Sequence, residues 1–358
     1  LYKGLKIAAA LFASALALAA CGSNSGGGTS SSAAPSDSAS SSAPASDVKV
    51  GLAYDIGGRG DQSFNDAAAA GLDKAASEFG VEVKELEATQ GETDAQKEER
   101  LRSLADEGYN PIIAVGFAYA VALGKVAPDY PDINFAIVDD ASLSEKNPNV
   151  ASLVFAENEG SFLVGAIAAQ ASKTGNIGFV GGVNVPLIQK FQAGYVAGAQ
   201  AVNKDIKVQV KYLTEPPDFS GFGDPAKGKT AAAGMFENGA DVVYHAAGGS
   251  GSGVFEAAKA AGGLAIGVDS DQYLTAPAEL KDVIITSMLK RVDVAVYNEI
   301  KSVVDGSPLK GVNTFGLEQD GVGYSKSNPA VQPYEAKTDE LRQQIIDGTI
   351  TVPETPAS

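Results

Sequence analysis

After Asp47 the chain alternates short apolar runs rich in β-branched residues with longer alanine-rich stretches, and this alternation constrains the fold more than any other feature. Residues 48–54, 112–116, 135–138, 177–180, 208–213, 242–244, 264–268 and 283–286 are predicted strands. Several are continuously apolar, as expected of strands covered on both faces of a parallel sheet. Residues 66–79 form a predicted helix with Leu72, Ala76 and Phe79 on one face. Strand then helix, repeated this often, is the pattern of an α/β protein built on parallel sheets. Residues 161–171 are strongly apolar but bounded by Glu159 and Lys173, which predicts a buried helix and not a membrane span. The charge-rich segment 92–107 reads as a helix with a solvated face that turns Leu101 and Leu104 inward.

A chain of 358 residues exceeds what one hydrophobic core usually serves, so two lobes are expected. The first 47 residues stand apart from them. Residues 1–20 read as a signal peptide: Lys3 and Lys6 precede an apolar stretch at 7–20 that is interrupted only by Ser14 and is too short to span a bilayer. It ends Leu18-Ala19-Ala20-Cys21-Gly22, which looks like a bacterial lipobox with Cys21 as the lipidated residue. Of the 26 residues at 22–47, 20 are Ser, Gly or Ala. Such a segment cannot bury enough apolar area to offset its chain entropy, so it is expected to be a flexible tether. Flexible-coil statistics give it a reach of roughly 28 Å. The expected location is the extracytoplasmic face of the cell membrane, with the membrane touched only through the lipid.

Composition excludes several chemistries. One cysteine and one histidine cannot build a disulfide scaffold or a Cys/His zinc site. Lys plus Arg is 27 against 44 for Asp plus Glu, a net charge of −17, which argues against nucleic acid as a partner. The segment 223–230 matches GxxxxGK[ST], but residues 215–222 separate it from the preceding strand and Asp224 sits where phosphates would lie. Asp224-Pro225 reads better as a helix cap followed by proline at the first helical position. No nucleophile-elbow spacing occurs around Ser250 or Ser252. His245, at a predicted strand end, is expected to be a structural hydrogen-bonder. Asp139 and Asp140 are adjacent and cannot act on one face, and Asp269 and Asp271 share a face only if their strand persists.

In open parallel sheets ligands bind beyond the carboxyl ends of the strands. Here those ends are polar or glycine-rich: residues 54–58, 138–140, 244–249 and 268–272. If two lobes face each other, that edge is a cleft. At its rim Ser63 and Asp66 have the spacing of a capping box, which places Phe64 and Asn65 in a first helical turn. Phe64 offers a stacking face and Asn65 a donor and an acceptor, the tools for holding a heteroaromatic ring.

These segments follow one another in a recognisable order: Asp55 with Ser63-Phe64-Asn65, then 114–117 ending at Phe117, 135–139 ending at Asp139, 266–272 containing Asp269, and 286–290 ending at Lys290. In this the chain, over roughly residues 48–350, resembles the basic membrane protein family of bacterial lipoproteins, which includes purine nucleoside-binding components of ABC transporters. The resemblance implies a type I periplasmic-binding-protein fold, two Rossmann-like lobes joined by three crossovers and closing on ligand. It assigns 48–155 plus 287–315 to the first lobe, 156–286 plus 316–350 to the second, and 351–358 to a tail. It implies a ligand set of Asp55, Ser63, Phe64, Asn65, Phe117 and Asp139 facing Phe222, Gly248 and Asp269, with Lys290 near a crossover. In the family two aromatics sandwich the base while acids and a lysine hold the ribose. Relatives often carry tryptophan near the second stacking position. This chain has none and offers Phe219 or Phe222, of which Phe222, near Asp224-Pro225, is favoured.

The implied function is capture of a nucleoside, with a purine expected, and its delivery to an ABC permease and its ATPase. The implied protein is a monomer without cofactor or catalysis. The same fold could instead serve a signalling or surface lipoprotein that binds a sugar or another heterocycle, or a nucleoside-processing enzyme.

Overall fold

The computed structural model describes residues 46–357, all within one compact unit that spans Ala43–Ser358. The expected signal peptide, Cys21 and nearly all of the tether lie outside the described residues. The strands are β1 (Lys49–Ala53), β2 (Glu82–Leu86), β3 (Ile112–Ala114), β4 (Phe135–Val138), β5 (Val150–Phe155), β6 (Asn176–Val183), β7 (Lys207–Thr214), β8 (Val242–Ala246), β9 (Leu264–Asp269), β10 (Ile284–Lys290), β11 (Gly311–Phe315) and β12 (Val322–Tyr324). They form two six-stranded sheets ordered β11-β5-β4-β3-β1-β2 and β12-β10-β9-β8-β6-β7. Every pairing is parallel except β10 with β12. The two orders match place for place, so β4 and β9 are equivalent, as are β5 and β10. The chain passes between lobes after β5, after β10 and after β11, the three crossings of a type I periplasmic-binding-protein fold.

The inner strands are apolar on both faces because helices cover both. Leu52, Ile113, Ile137 and Leu153 are fully buried, each contributing about 1.5–3 kcal/mol of transfer free energy. In the second lobe helix Glu157–Ala171 lies against helix Pro186–Val202 at backbone contact. A Cβ on Gly194 or Gly198 would come within 2.0 or 1.9 Å of the carbonyls of Asn158 and Phe162, so only glycine allows this approach.

Four strands lie outside the expected set, for identifiable reasons. β4 and β5 are joined by a turn-rich loop without a helix, which breaks the strand–helix rhythm. β2 and β11 are edge strands whose half-exposed faces carry polar residues, and β12 has only three residues. The expected lobe boundary at 287 is corrected to follow Lys290. Ser287, Met288 and Leu289 pair with β9, and Met288–Lys290 pair with β12, so β10 stays whole in the second lobe. The expected tail also stays attached at its start, because Val352 is buried and its carbonyl accepts from Asn158 Nδ2 at 3.0 Å.

Candidate functional site

The carboxyl ends of the strands in both sheets enclose a cleft with an empty volume of about 530 Å³. The first lobe contributes Asp55 and Ile56 after β1, Asp61, Phe64 and Asn65 at the start of helix Phe64–Phe79, Gly116 and Phe117 after β3, and Asp139 after β4. The second contributes Leu187, Ile188 and Phe191 from helix Pro186–Val202, Phe222, Ala246, Gly248, Val268, Asp269 and Lys290. Nine of the ten residues expected at the site therefore line one cavity. Ser63 does not. It is fully buried and acts behind the wall, as described below. Phe222 lines the cavity, whereas Phe219 packs edge-on against Phe117 with ring centres 5.9 Å apart.

Asp139 and Asp269 leave their equivalent strands with φ of 69° and 63°, left-handed values that cost a non-glycine residue of order 1–3 kcal/mol. The turn directs each carboxylate into the cleft instead of along the sheet. β9 ends at Asp269, so Asp271 does not share its face. Asp271 Oδ2 instead accepts from the hydroxyls of Ser325 and Ser327. Asp140 is likewise turned aside and caps Ser142.

Lys290 is the electrostatic centre, 2 % exposed. Its Nζ donates to Asp139 Oδ2 at 2.5 Å and lies 3.6 Å from Glu157 Oε1. The ring centres of Phe64, Phe155 and Phe191 surround it at 4.9, 5.2 and 5.5 Å, a cation–π setting. Burial works against its charge, and the carboxylates of Asp139, Glu157 and Asp269 hold it above its ordinary value. Burial raises the Asp139 carboxyl, with Lys290 pulling the other way. Burial pushes Glu157 up to about 7 and Asp269 up to about 6, each opposed by Lys290. Asp55 is also pushed up to about 6 by burial, opposed by the Ile56 N–H and by Lys97. Glu157 was missing from the expected set. The signal available was an acidic residue opening a strongly apolar helix just after a crossing.

The loop before helix Phe64–Phe79 departs from expectation twice. Asp61, not Ser63, caps it: its carboxylate accepts from the backbone N–H of Ser63, Asn65 and Asp66 at 2.9, 2.9 and 3.1 Å. Asp66 reaches back past Ser63 to the N–H groups of Gly60 and Gln62. The capping box is absent because the Ser63 hydroxyl points across the cleft, donating to Asp269 Oδ2 at 2.7 Å. Asn65 lines the cavity, yet its amide is committed within the loop. Its Oδ1 accepts from the Asp55 N–H at 3.1 Å, and its Nδ2 donates to Asp61 Oδ2 and Ile56 O. Asn65 therefore positions Asp55, which carries the free carboxylate oxygen on this side.

Behind Asp55 the charge-rich helix contributes more than a solvated face. Leu101 and Leu104 are fully buried as expected, but Arg100 also turns inward, pairing with Glu92 and donating to Tyr119 Oη at 2.6 Å. Tyr119 in turn donates to the Tyr54 carbonyl at 2.9 Å, which fixes the end of β1. Gly116, at φ 103°, leaves room for Asp55: a Cβ there would lie 2.4 Å from Asp55 Oδ2. His245 is fully buried with Nε2 3.0 Å from Gln272 Oε1, and burial lowers it to about 4, so the ring is neutral and structural. Asp224 caps helix Pro225–Glu237 by accepting from the Lys227 N–H, which disposes of the phosphate-loop pattern. Among the described residues no cluster of His, Cys, Asp and Glu suits a metal, and no helix is long and apolar enough to cross a membrane.

Two lobes, three crossings and a cavity of rings and carboxylates at the strand ends define a two-lobed solute-binding protein. The chain belongs to the Bmp family, whose model, described as ABC transporter substrate-binding protein PnrA-like, matches residues 48–356. It is 35 % identical over 362 residues to the CD4+ T-cell-stimulating antigen of Listeria monocytogenes, covering 97 % of both chains. It is 36 % identical over 327 residues to the ABC transporter nucleoside-binding protein BmpA of Lactococcus lactis, covering 86 % of this chain and 90 % of that one. A solute-binding protein of an ABC transporter system from Aeropyrum pernix K1 superposes with a TM-score of 0.75 at 34 % identity, over 87 % of this chain and 94 % of the other.

Proposed function

We propose that this ABC transporter substrate-binding protein captures a nucleoside, with a purine the expected base, and delivers it to its permease. The observation that carries the reading is the pairing of one ring from each lobe, Phe64 and Phe222, with Asp139, Asp269 and Lys290 in the same cavity. Base–aromatic stacking contributes about 1–3 kcal/mol per base, and a carboxylate can accept from the hydroxyls of a cis-diol. The similarity to the nucleoside-binding protein of Lactococcus lactis supports the same ligand class.

In this reading the chain acts as a monomer, tethered through lipidated Cys21 outside the membrane, and closes on its ligand without turning it over. Closure is driven by contacts made only in the shut state, so a ligand lacking base or ribose closes it poorly. Denaturing the purified protein and identifying co-purified small molecules by mass spectrometry tests the ligand class directly. A thermal shift with inosine, guanosine or adenosine, and none with ribose, is the expected result. A flat response to every nucleoside beside a large response to a hexose overturns the reading. Chromatography of nucleosides after incubation is expected to show no product, and turnover would make the protein an enzyme.

A further inference from the structure

Beside the cavity, and sharing Val268 and Asp269 with its lining, the lobes are sewn together by a short seam. Gln62 and Ser63 come from the first lobe, and residues 268–272 from the second. The single Ser63 hydroxyl proton goes to Asp269 Oδ2 at 2.7 Å, with the Val268 carbonyl farther off at 3.3 Å. Ser270 Oγ donates to the Ser63 carbonyl at 2.8 Å, and Gln272 Nε2 donates to the Gln62 carbonyl at 3.0 Å. Both sides hold strained backbone: Gln62 at φ 56° and Asp269 at φ 63°, neither a glycine. Strain of this kind persists where surrounding contacts over-determine it, and it clusters at clamps and switches.

The second-lobe half is preset by its own lobe. Gln272 Oε1 accepts from the Val268 N–H at 2.8 Å and faces His245 Nε2 at 3.0 Å, and the Gln272 N–H donates to Ser287 Oγ at 3.1 Å. His245 fits there because Gly251 leaves the space: a Cβ would lie 1.9 Å from the ring. The buried histidine thus aims Gln272 across the cleft.

We propose that Gln62-Ser63 and residues 268–272 form a latch that engages only when the lobes shut, with Ser63 a positioning residue that aims the Asp269 carboxylate at the ligand. One oxygen of Asp269 is held by Ser63, and the other has no protein partner among the described residues. Ligand contact through Asp269 is therefore conditional on closure, and ligand and latch reinforce each other. The ligand half of this inference rests on the nucleoside reading. The latch half does not.

Two measurements on wild type and Ser63→Ala separate the halves. Amide exchange of residues 61–66 and 268–273 in the purified protein reads the latch alone. The variant is expected to exchange about tenfold faster on both sides of the seam, the loss of one charge-assisted hydrogen bond. Equal exchange overturns the latch whatever the ligand is. Calorimetry with inosine and with 2′,3′-dideoxyinosine, which lacks the diol, reads the positioning. Ser63→Ala is expected to weaken inosine about tenfold and dideoxyinosine by no more than about threefold, and to add nothing once Asp269→Ala is present. Equal losses for both ligands, or additivity with Asp269→Ala, overturn the positioning role. If wild type binds no nucleoside while exchange still responds to Ser63→Ala, the ligand reading fails and the latch stands.

Discussion

The two lobes place an aspartate at the same point, after equivalent strands β4 and β9, in the same left-handed conformation. Each aspartate then reaches into the other lobe, but to different partners. Asp139 of the first lobe meets the Lys290 ammonium of the second, and Asp269 of the second meets the Ser63 hydroxyl of the first. One crossing is a buried ion pair and the other a hydrogen bond to a neutral group. An approximate twofold architecture thus supplies two cross-lobe contacts of unequal strength. Both are buried, and the weaker one leaves a carboxylate oxygen for a ligand.

The largest expected effect follows from breaking the charged crossing. Removing one partner of a buried ion pair costs about 3–5 kcal/mol because the other charge is left unpaired. Lys290→Met strands Asp139 and Glu157, whose Oδ1 and Oε2 already have no hydrogen-bond partner. Calorimetry should show more than a hundredfold loss of inosine affinity, with a lowered melting temperature. A loss no larger than that of Ser63→Ala would remove the ranking of the two crossings.

A second contrast concerns buried groups without a charge partner. In the first lobe Glu299 is fully buried on helix Val292–Val304 with neither carboxylate oxygen hydrogen-bonded, and burial raises it to about 8. In the second lobe His245 is lowered to about 4, chiefly by burial. The signs are opposite. Glu299 takes up a proton more readily folded than unfolded, so its contribution is fully present below pH 4.5 and is lost as pH rises toward 8. His245 stays neutral more readily folded, so its contribution is present above pH 6.5 and is lost as pH falls toward 4. Amide exchange followed lobe by lobe should loosen the first lobe on the alkaline side and the second on the acid side. Glu299→Gln should flatten the alkaline limb only. A limb unchanged in that variant would mean that another group carries it.

Between these effects and the smallest lies the neutral crossing's acid. Asp269→Ala removes an ionised acceptor worth about 1.5–3 kcal/mol and should weaken inosine accordingly in calorimetry. Unchanged affinity would place the ribose elsewhere.

Much of this was legible in the chain itself, and what was not has physical causes. The inner strands other than β5 could be read because burial on both faces leaves mostly apolar runs, whereas β5 follows β4 through a loop without a helix. The edge strands β2 and β11 could not, because a half-exposed strand carries charged or polar residues and looks like a loop. Asp139, Asp269 and Lys290 stand at strand ends and could be located by position. Glu157 and the inward turn of Arg100 and Lys97 could not, because a charged residue on a helix is assigned to solvent unless tertiary packing says otherwise. The Ser63–Asp66 spacing suggested a local cap, and a contact 206 residues away in sequence took the hydroxyl instead. Local patterns resolve local competition, whereas the latch partner is set by where the second lobe lands.

The smallest expected effect separates two aromatic neighbours that sequence alone could only rank. Phe222 lines the cavity from the second lobe, and Phe219, three residues earlier, touches Phe117 edge to face at 5.9 Å. If Phe222 is the second stacking ring, Phe222→Leu should weaken inosine by about 1–3 kcal/mol, the stacking contribution of one base. Phe219→Leu forfeits only an aromatic pair, about 0.5–1.5 kcal/mol, and that loss should fall on the shut conformation, since Phe117 belongs to the first lobe and Phe219 to the second. Free ribose carries no base, so its binding should not distinguish the two variants. Inosine calorimetry with Phe219→Leu weaker than Phe222→Leu would reverse the assignment and move the base toward Phe117.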